Sequence, residues 1–143
     1  MLGKSQVNEA KTCQGVKELR QNYVINSKTQ VIGTGAFGKV YKTYRKKDKT
    51  SSVAIKVLDK VALQNSLEQI MREVQILNSV DHPNIVKYFE TYDDKTNLFL
   101  VMEYIQGVEL FEAITHANKK RFEEGKAKEY MRELFLAISH LHS

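Results

Sequence analysis

From about Lys28 onward the chain alternates apolar and polar residues in short runs bounded by glycines or charges. Thr29-Gln30-Val31-Ile32, Lys39-Val40-Tyr41-Lys42-Thr43-Tyr44 and Ser52-Val53-Ala54-Ile55-Lys56-Val57-Leu58 each read as a strand. The Gly-rich stretch and the charged stretch Arg45 to Thr50 separate them as turns, which predicts an antiparallel meander. A helical period follows over about Leu63 to Val80, where Leu67, Ile70, Met71, Val74 and Leu77 recur at steps of three and four and form one buried stripe. The turn Asp81-His82-Pro83-Asn84 ends it. Two more strands are predicted at Ile85 to Glu90 and Leu98 to Tyr104, joined by polar residues 93–97. Helices are expected over Glu109 to His116 and Glu123 to His142, the second with Ala127, Tyr130, Met131, Leu134, Ile138 and Leu141 on one face. Residues 1–27 keep no sustained period and are expected as a flexible or loosely docked lead-in. The pattern is α+β: a five-stranded antiparallel sheet plus one helix, with two further helices behind it.

Composition narrows the class without changing this picture. With 143 residues, 42% hydrophobic and 27% charged, one packed, soluble unit is expected. The longest unbroken apolar stretch, Leu98 to Met102, is too short to span a bilayer, and the first twenty residues carry no apolar signal core. Met1-Leu2-Gly3 also fails the Met-Gly start of myristoylation. The single cysteine, Cys13, cannot form an internal disulfide or a metal pair, which fits a reducing, cytoplasmic setting. The net charge of +5 comes in part from Arg45-Lys46-Lys47 and Lys119-Lys120-Arg121, which lack interleaved aromatics and are read as solvated loops; neither nucleic acid nor membrane is expected as a partner.

Candidate chemistry begins at Gly33-Thr34-Gly35-Ala36-Phe37-Gly38. The spacing G-x-G-x-x-G also serves dinucleotide folds, but those place a helix after the glycines, and here a strand pattern follows. Glycines in such a hairpin let backbone N–H groups approach polyphosphate oxygens, although a plain Gly-rich hairpin explains this segment equally well by itself. Lys56 stands inside an otherwise apolar strand, where an unpaired ammonium is costly, so a carboxylate or phosphate partner is expected. Glu73 borders the buried stripe of the following helix and is the leading candidate, with Glu68 as the alternative. His82 is read as a turn residue, since no His or Cys lies near it with metal spacing.

The glycine loop, Val53-Ala54-Ile55-Lys56, Arg72-Glu73-Val74, Asp81-His82-Pro83-Asn84-Ile85-Val86 and Leu98-Phe99-Leu100-Val101-Met102-Glu103-Tyr104 occur in the order of the protein-kinase N-lobe. From about Lys28 to Ser143 the chain resembles serine/threonine kinases, with phrasing similar to the calcium-dependent and calmodulin-dependent group. The resemblance implies an N-lobe with hinge over 28–105 and the first two helices of an incomplete C-lobe over 106–143. It implies that Gly33, Gly35 and Gly38 fold over the phosphates of ATP, that Lys56 contacts the α- and β-phosphates and that Glu73 pairs with Lys56. Ile32, Val40, Ala54 and Val86 would sandwich the adenine, and Met102 would be the gatekeeper. Glu103, Tyr104 and Ile105 would supply hinge backbone, and Glu109 would meet the ribose or a basic substrate side chain.

Three departures stand beside the resemblance. Val108 replaces the second of two glycines that usually precede the glutamate at 109, and Gly125 falls in the first turn of the last helix, where it costs about 1 kcal/mol relative to Ala. No His-Arg-Asp loop and no Asp-Phe-Gly motif occur in the sequence, so the Mg2+ ligands of the complete domain are not in this chain and no metal-ligand set is expected. The expectation is therefore the ATP-binding portion of a protein serine/threonine kinase, inactive as this chain alone, with its locus continuing past Ser143 into the missing motifs. The alternative is a non-catalytic kinase-like interaction module whose last helix is covered by a protein partner.

Overall fold

The computed structural model describes residues 12–63, 66–117 and 120–143, without the side chains of residues 12–14. Two compact units emerge, one running to Val80 and resuming over Val86–Tyr104, the other formed by Asp81–Ile85 with Ile105–Ser143.

The first unit is built on a sheet of six strands: β1 (Thr12–Gln14), β2 (Gln30–Gly35), β3 (Gly38–Arg45), β4 (Asp48–Asp59), β5 (Tyr88–Asp93) and β6 (Asn97–Glu103). Their spatial order is β1-β5-β6-β4-β3-β2. Strands β2 to β6 pair antiparallel, as the alternating pattern predicts. The β3–β4 turn is tighter than expected, because Lys46 and Lys47 alone make it and strand pairing resumes at Asp48. The Asp48 carboxylate accepts hydrogen bonds from the Thr50 N–H (2.9 Å) and hydroxyl (2.5 Å), and these hold its pKa down at about 2. The β5–β6 turn is pinned similarly, with the Asp94 carboxylate accepting from the N–H groups of Thr96 and Asn97. Lys60 pairs with Asp93 and donates to the Asp94 carbonyl.

Helix α3 (Leu67–Ser79) falls within the region predicted as a helix over 63–80, and a short helix α2 (Lys60–Leu63) precedes it, beginning ahead of the predicted start. The α3 stripe faces inward as the period requires. Val74 is buried with Leu58, Leu63, Tyr88, Leu98 and Leu100, and Leu67, Ile70, Met71, Leu77 and Met102 pack against that cluster. At the C-terminal end, Val80 adopts an extended conformation and its N–H reaches back to Leu77 O.

The segment ahead of residue 28 differs from the expected loose lead-in. Thr12–Gln14 adds a parallel strand to β5, and Gly15–Asn22 forms helix α1. Leu19 and Tyr23 are completely buried against Val53, Ile55, Tyr92, Phe99 and Val101, on the sheet face opposite α3. The Tyr23 hydroxyl donates to Glu90, and burial together with that carboxylate pushes its pKa well above the ordinary tyrosine value, keeping it a neutral donor. Ordering these residues is offset by about 1.5–3 kcal/mol for each large apolar side chain removed from water.

In the second unit, α4 (Leu110–His116) and α5 (Glu124–Leu141) are the two expected helices. Phe122 meets Tyr130 edge-on at 5.2 Å, and the His82 and His140 rings lie 5.1 Å apart. Only Ala137 of α5 is buried; Met131, Leu134, Phe135, Leu136, Ile138 and Leu141 are exposed. A Cβ on Gly125 would meet nothing within 4 Å, so no packing requirement explains this glycine.

Candidate functional site

Cross-strand partners share a sheet face, and residues two apart on one strand do too. The registers Gly33↔Val40, Val40↔Lys56, Lys56↔Leu100 and Ala54↔Met102 therefore gather Gly33, Val40, Ala54, Lys56 and Met102 on the face that carries α3. Ile32 falls in the register shift between Val31 and Gly33 and is exposed.

The three glycines of the β2–β3 turn have different reasons to be glycine. A Cβ on Gly38 would lie 1.8 Å from the Val57 carbonyl oxygen, and its φ is +158°, so the fold itself demands glycine there. A Cβ on Gly33 would make an ordinary 3.8 Å contact with Val40, and one on Gly35 would meet nothing within 4 Å. Glycine inside a strand costs about 0.5–1 kcal/mol relative to alanine. At Gly33 and Gly35 no contact of the fold offsets that cost, and what the missing side chains leave is room above the backbone.

Lys56 and Glu73 line one cavity of about 360 Å³, together with Phe37, Leu58, Ile70 and Met102. Lys56 is exposed there, not desolvated as its apolar flanks suggest, because it opens into this cavity while Ala54 and Leu58 on the same face are covered. Among the described residues no carboxylate pairs with Lys56 within 4.0 Å. Glu73 instead accepts a long 3.4 Å hydrogen bond from Gln69, and the alternative Glu68 pairs in solvent with Arg72 at 3.7 Å. The cavity thus presents a free ammonium and a carboxylate on apolar walls, a combination suited to an anion that one cation must hold.

At the end of β6, the Glu103 N–H donates to Lys87 O (2.8 Å) and its carboxylate accepts the Lys87 N–H (2.9 Å), so that N–H is engaged within the sheet. Lys42 lies 4.1 Å above the Tyr104 ring. Val86, half-buried, precedes β5 in the same unit. Ile105 and Glu109 belong to the second unit, where both are exposed and Glu109 is the residue before α4. His82 Nδ1 accepts the Asn84 N–H at 3.1 Å, which makes it a turn-forming residue, as expected. Phe37 and Gln69, cavity-lining residues not predicted from sequence, reveal themselves only once the glycine turn and α3 are folded together.

Comparison with known proteins agrees with this geometry. The family model described as "Protein kinase domain" matches residues 26–143. Calcium/calmodulin-dependent protein kinase type 1 of Caenorhabditis briggsae is 40% identical over 112 residues, covering 78% of this chain and 31% of that protein. CBL-interacting protein kinase 33 of Oryza sativa subsp. japonica is 40% identical over 116 residues, covering 80% and 25%. Among solved structures, Rad53 1–466 in complex with AMP-PNP matches with a TM-score of 0.71 at 25% identity, over 87% of this chain and 31% of that one. The chain spans about a third or less of the length of each.

Proposed function

The chain belongs to the protein kinase domain family, and from that premise we propose that its first unit holds the phosphates of ATP through the β2–β3 glycine turn and Lys56. The observation that carries this reading is the pair Gly33 and Gly35, glycines for which the fold has no use, on the same sheet face as an unpaired lysine. ATP supplies the transferable γ-phosphoryl group; the chain's own residues bind and orient it. Backbone N–H groups of the turn approach the phosphate oxygens, and the Lys56 ammonium neutralises charge. Ile32, Val40, Ala54 and Val86 offer apolar surface to the base beside Met102, while Glu103, Tyr104 and Ile105 provide the adjoining backbone. Glu73 would hold Lys56 once α3 brings the two together. In a complete kinase domain this would be serine/threonine phosphoryl transfer in a reducing, cytoplasmic setting. Among the described residues no group of three His, Cys, Asp or Glu could hold a metal ion, and no step is assigned through one.

Titration with a fluorescent ATP analogue tests the reading. Lys56→Met is expected to weaken binding by about 10–100-fold, the loss of a charge-assisted bond, with an unchanged melting temperature because the side chain is exposed. Equal affinity of Lys56→Met and the parent chain would remove the proposal. A polypeptide of these 143 residues is expected to bind nucleotide nearly independently of magnesium and to transfer no label from γ-labelled ATP to peptide hydroxyls. Transfer abolished by Lys56→Met would contradict that. A second reading, favoured by the exposed Met131, Leu134, Phe135 and Ile138 on α5, is that this face packs against further polypeptide, in the same chain or in a partner.

A further inference from the structure

We propose that Gly15–Tyr23 is a strap that positions the phosphate-contacting strand: docked on the far face of the sheet, it fixes β4 and so holds Lys56 in place, with Leu19 and Tyr23 as the positioning residues. This rests on the reading of Lys56 as a phosphate ligand.

Strand β4 has two sides. Val53 and Ile55 are buried with Leu19 and Tyr23, and Val57 packs against the same cluster, whereas Ala54, Lys56 and Leu58 point to the face carrying α3. Lys56 thus lies between two residues whose side chains rest beneath the strap, and its backbone cannot move without them. The strap also ties strands on both flanks of the β4–β6 pair. Toward β3, Tyr23 bridges Arg45, and the Lys46 N–H just past that strand donates to Asn22 O; directly after the strap, the Val24 N–H donates to Tyr44 O. Toward β5, Asn22 Nδ2 donates to the Tyr92 hydroxyl at 2.9 Å and the Tyr23 hydroxyl donates to Glu90. Arg45 closes the arrangement, its guanidinium 5.8 Å above the Tyr23 ring and 5.0 Å above Phe89. A segment bonded to β3 and β5 across two intervening strands sets the twist of that part of the sheet, and with it the direction in which Lys56 projects. Gly15–Tyr23 lies ahead of the region matched by the family model, which begins at residue 26, so the match does not account for this contribution.

The test uses the full chain at a temperature where melts show every variant folded. Leu19→Ala and Tyr23→Ala should raise amide exchange over residues 54–58 by about 10-fold while α3 exchanges as in the parent, and should weaken the ATP analogue by about 5–10-fold. Leu19→Met should restore both. Unchanged exchange in β4 overturns the proposal, and so does raised exchange with parental affinity in a chain whose Lys56→Met variant has lost affinity. If Lys56→Met binds like the parent, the phosphate reading fails separately; exchange in β4 then decides alone whether the strap fixes the strand. Should the alanine variants not fold, Leu19→Val and Tyr23→Phe take their place under the same criteria.

Discussion

A Gly38→Ala chain should lose on the order of 3–4 kcal/mol of folding stability, the sum of overpacking and a strained backbone. The reason is local and steric. Gly38 pairs with Leu58, and its α-carbon passes so close to the Val57 carbonyl that a Cβ would sit 1.8 Å from the oxygen and 2.8 Å from the carbon. Both atoms are backbone of a paired strand, so no side-chain rotation relieves the clash. The Asp59 N–H bond to Phe37 O, which closes the turn onto the end of β4, would be disrupted as well. Since a domain of this size is stable by only about 5–15 kcal/mol, urea titration should show a large fall in midpoint. Gly35→Ala is the companion variant, expected to leave the midpoint unchanged or slightly higher, because nothing lies within 4 Å and its φ is not in the left-handed range. Two neighbouring glycines would then separate what the fold needs from what a ligand needs. A Gly38→Ala midpoint equal to that of Gly35→Ala would mean that the turn relaxes freely.

Tyr92→Ala is expected to cost about 3–5 kcal/mol, as large aromatic truncations in packed cores do. Tyr92 is wholly buried, meets Tyr23 edge-on with ring centroids 6.2 Å apart, and accepts the Asn22 amide on its hydroxyl. Its backbone pairs with Phe99 on one side and Cys13 on the other, and its ring is buried with Leu19, Tyr23 and Phe99. Tyr92→Phe keeps the ring and gives up only the hydroxyl, for about 0.5–1.5 kcal/mol. Chemical denaturation of the two variants resolves the difference. Equal losses would show that the hydrogen bond, not the ring, holds the segment.

The elements that the sequence makes legible are those long enough to repeat a pattern. Leu67, Ile70, Met71, Val74 and Leu77 span three turns of α3 and pack as one stripe, and the runs at residues 39–44, 52–58 and 98–104 fall within or beside β3, β4 and β6. Helix α1 has eight residues; its buried Leu19, the partly buried Val16 before it and the buried Tyr23 just past its end follow steps of three and four over barely two turns. Such a stripe carries little weight against the polar residues around it, although its spacing is the signal that could have revealed it. At the candidate site, the glycine spacing and the lysine strand were legible because they are local. Distances were not: Lys56 and Glu73 share a cavity without forming a pair, since the separation between a strand and a helix depends on side chains packed between them, such as Ile70 and Leu100. Nor does the motif distinguish the glycine demanded by a neighbouring carbonyl from the one that faces open space.

The three residues of β1 have a consequence for how molecules of this protein meet one another. Thr12, Cys13 and Gln14 run parallel to β5 and occupy the outer row of backbone donors and acceptors at Thr91, Tyr92 and Asp93. An uncovered strand in that position is a template on which a second copy can pair, and a short strand laid along it blunts the hazard. A polypeptide begun at residue 26, where similarity to other protein kinase domains begins, would lose this guard together with Leu19 and Tyr23. It would present a bare strand beside a floor of Val53, Ile55 and Val101 stripped of its cover. Such a protein should form edge-to-edge oligomers and precipitate on concentration, whereas a chain beginning at residue 1 should give the lower light scattering at equal concentration. For anyone preparing this domain, the folded unit reaches further forward than the region of shared sequence, to Thr12 at least.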